Sequence, residues 1–344
     1  MNPSIPSPSD HCDFPNRRRL LRWMGALPLF LWLTGPLANA NTNRDLVAQY
    51  PWLQAWVEQD GLDREWLNAL LSPLKVDQRV IDLMNSQAEA KPYYLYRPIF
   101  INDQRIRRGR RQMRNHAPLF ANVEQHYQVP ARFVAALWGM ESDFGDYHDG
   151  FNILRSLFTL ATAYPRRASF FQSQLRHLLL LAREEGWNPA TLKGSFAGAM
   201  GQCQMIPETM RRYLVDFDGD GHRDPFRSVP DVVGSIANFL QQNGWRRDGL
   251  YSLPLADDGG MESLSKQWQK QWRTIDDWRR NDLPFPPSTP QLDPNESASL
   301  IRLVHASGPG FYLVFNNFKV ITNWNRSSHF AMAVGELAAR IQPG

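Results

Sequence analysis

The chain has almost no excess of charge of either sign. Its 38 Lys and Arg residues stand against 34 Asp and Glu residues, for a formal net charge of +4. A balance this close to neutral argues against a nucleic-acid-binding protein, which concentrates basic side chains on one surface. A mildly basic surface is compatible with an anionic polymer such as a cell wall.

The chain also lacks an apolar run long enough to span a membrane comfortably. The run WMGALPLFLWL at residues 23–33 is short, follows arginines at positions 17, 18, 19 and 22, and precedes an Ala-Asn-Ala sequence that ends at Ala40. A charged start, a short apolar segment and an A-x-A end predict a secretory signal peptide cleaved after Ala40, which delivers the protein to the periplasm. The alternative is an uncleaved segment that anchors the protein in the membrane.

Cysteine is scarce, since only Cys12 and Cys203 occur. Cys12 lies within the predicted signal peptide, so the mature chain retains one cysteine and can form no intramolecular disulfide. Its stability must come from packing, alone or together with a bound metal. We expect Cys203 to be a small buried residue rather than a nucleophile.

Aromatic residues, by contrast, are abundant, with 12 Trp, 10 Tyr and 19 Phe. Together with a hydrophobic content of 43% in 344 residues, they exclude a disordered protein and can form a substantial core. Flat aromatic faces also suit sugar rings, although a large aromatic content on its own is explained by a core.

Most of the chain beyond the signal shows helical periodicity. Residues 44–90 and the basic segment 105–127 are predicted as helices joined by a tyrosine-rich link, KPYYLYRPIF, and the basic side chains are expected to face solvent. A leucine-rich segment predicts a helix that ends at Gly186. Ser327 or Ser328 is expected to cap a final helix.

Residues 300–324 differ from the rest in their β-branched and aromatic runs LIRLV, FYLVF and FKVIT, which predict short strands. The expected fold class is therefore mainly α, an α+β protein with a helical core and a small antiparallel β element. We divide it into a signal peptide at 1–40, an N-terminal helical region at 41–129, a core at 130–245, an inserted subdomain at 246–299, and strands with a final helix at 300–344 that complete the core.

Glu141 is the first candidate for chemistry. Pro130 fits the start of a helix in which Val134, Leu137 and Glu141 follow at helical spacing. That spacing places the carboxyl in line with an apolar stripe, where desolvation raises its pKa and lets it act as a general acid near neutral pH. The alternative is a glutamate at a helix end that simply faces solvent.

The segment KGSFAGAMGQCQMIPETM, residues 193–210, interleaves glycines with small residues. No Gly-Lys-Ser/Thr follows, so it is not a phosphate-binding loop. Small residues let a backbone approach closely, so that Ser195 and Gln204 could donate hydrogen bonds to sugar hydroxyl or acetamido groups. Plain helix packing would require the same small residues.

The segment DFDGDGHRDPFRSVPD resembles the first half of an EF-hand loop. Asp216, Asp218 and Asp220 occupy positions 1, 3 and 5 of such a loop, and a glycine follows at position 6. Position 12, where a bidentate Glu belongs, is Arg227, so Asp224 or Asp231 would have to supply the missing ligand. The pattern predicts a structural Ca²⁺, against the alternative of a turn held by its own Asp side chains.

The three segments discussed above and three further motifs follow one another along the chain. In order they are GMESDFG, YPRRASFF, LKGSFAGAMGQCQMIPETM, VDFDGDGHRDPF, SIANFLQQNGW and ITNWNRSSHFAMAV. Together they resemble the lytic murein transglycosylase B family over roughly residues 90–341. The resemblance implies a lysozyme-like core that cleaves the β-1,4 bond between N-acetylmuramic acid and N-acetylglucosamine in peptidoglycan. It implies a reaction without water, in which one Glu acts as acid and then as base and leaves a 1,6-anhydro sugar.

The resemblance also implies roles for particular residues. The acid and base would be Glu141. The residues along the glycan would be Ser195, Gln204, Asn325, Arg166, Arg167, Trp324 and Phe239. The calcium ligands would be Asp216, Asp218, Asp220, the carbonyl of His222 and Asp231. Phe239 and Trp324 replace tyrosines of some members, and Trp324 would keep a stacking surface.

Two alternatives belong to other functional classes. A lysozyme-type hydrolase needs a second carboxylate near the first, for which Asp143, Asp146 and Asp149 are candidates that we expect to be solvated loop residues. A non-catalytic cell-wall-binding protein would bind glycan without turnover. We expect no organic cofactor, and a monomer that acts on peptidoglycan strands, with cell-wall synthesis or divisome proteins as candidate partners.

Overall fold

A computed structural model describes residues 44–86, 91–146, 150–257, 259–268 and 270–342. The predicted signal peptide and Asp149 lie outside the described residues. No helix within the described ranges is both long and apolar enough to cross a membrane. The described residues pack as one compact unit.

The N-terminal part is helical, as the periodicity of residues 44–90 predicts. Its helices are α1 (Leu46–Gln49), α2 (Pro51–Asp60), α3 (Arg64–Leu71), α4 (Gln78–Asn85), α5 (Tyr93–Phe100), α6 (Asp103–Asn115) and α7 (Ala117–Tyr127). Aspartates cap three of them, because the side chains of Asp45, Asp63 and Asp77 accept backbone N–H groups of the first turn.

The tyrosine-rich stretch that we expected to be a link is the helix α5. Glu336, in the last helix of the chain, holds α5 against the rest of the fold. The Glu336 carboxylate accepts a hydrogen bond from the Tyr93 hydroxyl at 2.7 Å and forms an ion pair with Arg97 at 2.6 Å. Helix periodicity was hard to recognise here, because aromatic residues occur on both faces and Pro98 lies inside the helix.

Helix α8 (Ala131–Ser142) forms the centre of the molecule. Pro130 precedes it as the N-cap residue, and nearly every side chain along it is buried. It packs against α6, α7, α12 (Val229–Gln242) and α16 (Ser328–Ile341). A helix this enclosed needs apolar residues on all sides, which explains its run of Ala, Val, Leu and Trp.

Two helices and a pair of short strands flank this centre. Helices α9 (Ile153–Ala163) and α10 (Ala168–Glu185) pack against each other, and Gly186 ends α10 in the left-handed conformation, as predicted. The strands β1 (Phe151–Asn152) and β2 (Lys193–Gly194) pair antiparallel, and α11 (Pro207–Tyr213) follows.

The second half contains an antiparallel sheet in the order β3 (Ser252–Leu255), β6 (Gly308–Val314), β5 (Ser297–His305) and β4 (Trp272–Thr274). Helices α13 (Met261–Trp268) and α14 (Ile275–Arg280) lie between these strands in sequence. One face of the sheet contributes to a separate small core that contains Met261, Trp278 and Phe311. The mainly α fold class with a small antiparallel β element is confirmed.

One strand prediction was wrong. LIRLV and FYLVF lie in β5 and β6, but FKVIT is part of helix α15 (Asn316–Trp324). Asn317, Val320, Ile321 and Trp324 recur at helical spacing, and the first three are buried, so packing against the core overrides the β preference of Val and Ile. Ser327 caps the final helix by accepting the Phe330 N–H, as predicted.

Candidate active site

Glu141 lies one residue before the C-terminal end of α8. The helix is followed by its C-cap residue Asp143, which adopts a left-handed conformation with φ of 51° and donates its N–H to the Gly139 carbonyl at 3.1 Å. Phe144 follows, also left-handed at φ of 64°, and its buried ring covers Gly139. A Cβ at Gly139 would lie 2.5 Å from that ring, so only glycine lets the chain fold back over the helix here.

Asp143 is anchored by helix α6. Its carboxylate accepts hydrogen bonds from Arg105 at 3.0 Å and Arg108 at 2.6 Å, and Arg108 also reaches Asp146 at 2.6 Å. These arginine side chains are 15% and 18% exposed, and that of Asp143 is 21% exposed. Two expectations are therefore corrected: Asp143 is not a solvated loop residue, and part of the basic run on α6 points inward to position the end of α8.

The carboxyl of Glu141 is strongly desolvated, although the residue keeps part of its surface open. Desolvation raises its pKa to about 8, and a hydrogen bond from the Trp324 indole partly opposes this rise. The indole Nε1–H donates to Oε1 at 2.7 Å. A carboxyl with this pKa is mostly protonated at neutral pH and can still ionise, which are the two states that an acid and base must visit.

Trp324 is the last residue of α15 and is held by an aromatic contact. Its ring packs edge-on against Phe239 of α12 at 4.8 Å, and Phe239 packs in the same way against Tyr213 at 4.7 Å. Phe239 is only 5% exposed. Phe239 is therefore better placed to support the Trp324 indole than to contact a ligand directly.

The loop of residues 195–205 lies next to Glu141. The Trp138 indole on α8 donates to the Gln202 side chain at 2.9 Å, and the Gln202 amide donates to the Phe226 carbonyl at 2.9 Å. Gln202 thus connects the central helix with two loops. Cys203 is buried, as expected, and desolvation together with the nearby Glu141 charge raises the pKa of its thiol to about 12, which makes it a poor nucleophile.

Ser195 and Gln204 both keep hydrogen-bonding capacity for a ligand. The Ser195 hydroxyl oxygen accepts the Ala199 N–H at 2.9 Å, so its own proton is left to donate elsewhere. Gln204 has a left-handed backbone, with φ of 46°, and donates its amide to the Gly201 carbonyl at 3.0 Å, which leaves the side-chain oxygen as an acceptor. A non-glycine residue in this conformation is strained, which is common at functional sites.

Tyr96 on α5 is a residue that the sequence did not single out and that is close enough to Glu141 to be influenced by its charge. Desolvation, and then the charge of Glu141, raise the pKa of its phenol to about 12. Its ring lies 5.6 Å from that of His329. The dense aromatic composition of KPYYLYRPIF was the available signal, but nothing local indicated which tyrosine approaches Glu141.

The other residues that we predict to contact the glycan have no described contact with Glu141. Asn325 is exposed directly after Trp324, and its side-chain oxygen accepts the Ser327 N–H at 3.1 Å, which leaves its amide hydrogens available. Arg166 and Arg167 are exposed on the turn between α9 and α10, where the Arg167 guanidinium lies 4.3 Å from the Phe170 ring. No described contact joins either arginine to Glu141.

The aspartate-rich loop gathers three carboxylates. Oxygens of Asp216, Asp218 and Asp231 all lie within 4.8 Å of one another. Asp220 instead accepts the His222 N–H at 2.8 Å. Hard oxygen ligands that converge from a flexible loop are the kind that Ca²⁺ prefers, so these residues fit that ion.

Asp231 ties this loop to helix α12. It is 1% exposed, and its two oxygens accept the N–H groups of Phe217 and Asp224 at 2.8 Å each. Desolvation raises the pKa of Asp231, and the charges of Asp218 and Asp216 add to that rise. Crowded carboxylates of one sign are costly unless a cation neutralises them.

The chain is similar to characterised proteins along most of its length. A family model described as "Transglycosylase SLT domain" matches residues 48–339. Membrane-bound lytic murein transglycosylase B of Escherichia coli (strain K12) is 33% identical over 297 residues, which cover 83% of this chain and 80% of that protein.

Solved structures of lytic transglycosylases are also similar to this chain. Lytic transglycosylase Slt35 of Escherichia coli, in complex with calcium, is 32% identical with a TM-score of 0.77, over 87% of this chain and 93% of that one. SltB3 of Pseudomonas aeruginosa, in complex with NAG-NAM-pentapeptide, is 32% identical with a TM-score of 0.75, over 86% and 78%. The chain therefore belongs to the transglycosylase SLT domain family.

Proposed function

We propose that this protein is a lytic transglycosylase that cleaves the β-1,4 bond between N-acetylmuramic acid and N-acetylglucosamine in peptidoglycan. The observation that carries the proposal is the environment of Glu141, a desolvated carboxyl with a pKa of about 8. Desolvation is the larger influence on that pKa, and the hydrogen bond from the Trp324 indole partly opposes it. A carboxyl that is protonated at neutral pH and can still ionise suits both proton transfers of the reaction.

The reaction follows from that single group. Protonated Glu141 gives its proton to the glycosidic oxygen while the bond from that oxygen to C1 of the muramyl residue breaks. The Glu141 carboxylate then takes the proton of the muramyl C6 hydroxyl, and O6 bonds to C1. The products are a free 4-hydroxyl on the departing sugar and a 1,6-anhydro ring, and the enzyme regains its starting protonation state.

The surrounding residues orient the sugar and the carboxyl. The Trp324 indole holds Oε1 and leaves the other carboxyl oxygen for the proton transfers. Ser195, Gln204 and Asn325 have donors or acceptors that their own loops leave unused. Arg166 and Arg167 supply exposed positive charge along the predicted cleft.

A second carboxylate of the kind that a lysozyme-type hydrolase uses is hard to find here. Such enzymes hold two carboxyl groups about 5 Å apart for retention or about 6.5–9.5 Å apart for inversion. Asp143 and Asp146, the described candidates, are both paired with α6 arginines. These ion pairs favour the single-glutamate reaction.

Product analysis tests the proposal directly. Purified sacculi are digested with wild type, Glu141→Gln and a control, Glu65→Gln, which changes an exposed glutamate on α3. We expect soluble muropeptides lighter by one water than lysozyme products from wild type and control, and none from Glu141→Gln. Reducing-end products would show that water is the nucleophile, and glycan binding without products would indicate a non-catalytic protein.

We propose further that the aspartate-rich loop binds a structural Ca²⁺ through Asp216, Asp218 and Asp231. Asp220 and the His222 carbonyl are the additional predicted ligands. The convergence of three carboxylates and the calcium in the Slt35 structure support this proposal. The ion would stabilise the loop against α12, and the proton transfers at Glu141 do not require it.

We place the protein in the periplasm, where its proposed substrate lies. Residues 1–40 have the pattern of an export signal, and the Escherichia coli relative is described as membrane-bound. Fractionation of cells and N-terminal sequencing of the isolated protein decide between cleavage after Ala40 and retention in the membrane. A mature N-terminus at Asn41 is the expected result.

A further inference from the structure

A cavity of about 700 Å³ opens beside the loop of residues 195–205. Gly194, Gly201 and Gln204 are among the residues that line it. Its volume is in the range of pockets that bind small molecules and peptide fragments. Gln204 lines the cavity and is also a residue of the proposed glycan site, so the cavity adjoins that site at Gln204.

The cavity is positively charged where it is open. Lys193 and Arg227 both line it and are exposed, and neither side chain forms an ion pair within the part of the chain that the structure describes. Arg223 also lines it but is neutralised by Glu185. The remaining acid is Asp224, whose Oδ1 accepts the N–H groups of Phe226 and Arg227 at 2.8 and 3.0 Å.

Part of the remaining wall is an apolar patch. The Trp187 and Phe226 rings pack edge-on with centroids 5.2 Å apart, and Leu192 lies beside them. Asn188 adds a polar side chain at the rim. Exposed cations next to an aromatic wall suit a ligand that combines carboxylates with aliphatic groups, since the charges fix its orientation while the wall removes apolar surface from water.

We infer that this cavity binds the carboxylate-bearing peptide attached to the muramyl residues of the glycan. The inference rests on the proposed function, because it takes peptidoglycan as the substrate. Such a peptide has a free carboxylate at its C-terminus, which Lys193 and Arg227 can pair with. The SltB3 relative in complex with NAG-NAM-pentapeptide shows that a family member binds a sugar that bears a peptide.

The first experiment measures binding, which does not depend on turnover. NAG-NAM-pentapeptide and the same disaccharide without peptide are titrated by calorimetry into wild type and into Lys193→Ala/Arg227→Ala. The control is Lys75→Ala/Arg111→Ala, which removes two exposed cations away from the cavity. We expect the peptide to strengthen binding to wild type and control at least tenfold, and the cavity variant to lose that gain.

The second experiment measures digestion of sacculi and of glycan chains stripped of their peptides by an amidase. The cavity variant should lose about tenfold in kcat/KM on intact sacculi, mainly through KM, and keep wild-type activity on stripped chains. Lys193→Arg/Arg227→Lys should restore activity on sacculi. Thermal unfolding of every variant verifies that it is folded.

The possible results separate the two proposals. If wild type digests both substrates and the peptide adds nothing to binding, the cavity inference is refuted and the enzymatic function stands. Equal losses of affinity for NAG-NAM-pentapeptide in the cavity and control variants would also refute the inference. They would show that the ligand is attracted by the positive charge of the whole protein rather than by the cavity. If wild type digests neither substrate but the cavity variant alone loses peptide affinity, the enzymatic function is refuted and the peptide site stands.

Discussion

Replacement of Glu141 by Gln should remove a pH-dependent loss of stability. The carboxyl has a pKa of about 8 in the folded protein because it is desolvated, against 4.5 in an exposed chain. Between these values the folded protein keeps a proton that the unfolded chain releases, so the free energy of unfolding of the wild type falls as the pH rises. Gln has no such proton, and its amide oxygen can still accept the Trp324 N–H.

The size of the effect follows from the two pKa values. A rise from 4.5 to about 8 corresponds to about 5 kcal/mol, at about 1.36 kcal/mol for each pH unit, once the pH exceeds both values. The free energy of unfolding of the variant minus that of the wild type should therefore grow by about 1.4 kcal/mol per pH unit between pH 5 and pH 8. Below the lower pKa the difference should be constant, because the carboxyl is protonated in both states.

Urea unfolding of both proteins across this pH range measures the difference. All other titrating groups are shared, so their contributions cancel in the subtraction. Glu65→Gln is the matched control, because it makes the same chemical change at an exposed position of α3, and its difference from wild type should vary little with pH. A Glu141→Gln difference that is equally flat from pH 5 to pH 8 would refute the desolvated, protonated carboxyl and the mechanism that depends on it.

Further predictions concern the groups around this carboxyl and the aspartate-rich loop. Trp324→Phe removes the donor that lowers the Glu141 pKa, so the alkaline limb of the pH–activity profile should move to higher pH and kcat should fall; an unchanged limb would contradict the role of the indole. Asp143→Asn weakens the contacts to two α6 arginines and should cost about 2–4 kcal/mol in urea unfolding, whereas a cost near zero would mean that these pairs do not anchor α8. Gly139→Ala places a methyl group against the Phe144 ring and should cost about 1–3 kcal/mol; unchanged stability would show that the ring can move aside. Calcium at about 100 times its dissociation constant should add about 2.7 kcal/mol of stability, and a chelator that leaves the thermal midpoint unchanged would exclude the site.

Much of the fold was predictable because helix ends and periodicity are local properties. Gly186 ends α10 and Ser327 begins α16 because the left-handed turn and the capping hydroxyl act within one turn of the chain. The order of six motifs was enough to indicate the family. The prediction of a strand at FKVIT was wrong because Val and Ile are also acceptable in a buried helix. Only packing of α15 against the core selected the helical conformation.

The amino-acid sequence by itself determined the candidate acid and the aspartate-rich loop, because each depends on residue types at short spacing, and it indicated the family through the order of six motifs. Tertiary structure alone decided the chemistry of Glu141. Trp324 donates to it from 183 positions away, and Arg105 and Arg108 fix the end of its helix from a different element. Desolvation and hydrogen bonding are set by neighbours in space, so the pKa that makes this glutamate an acid arises only when the chain folds around α8 and brings the Trp324 indole of α15 to its carboxyl.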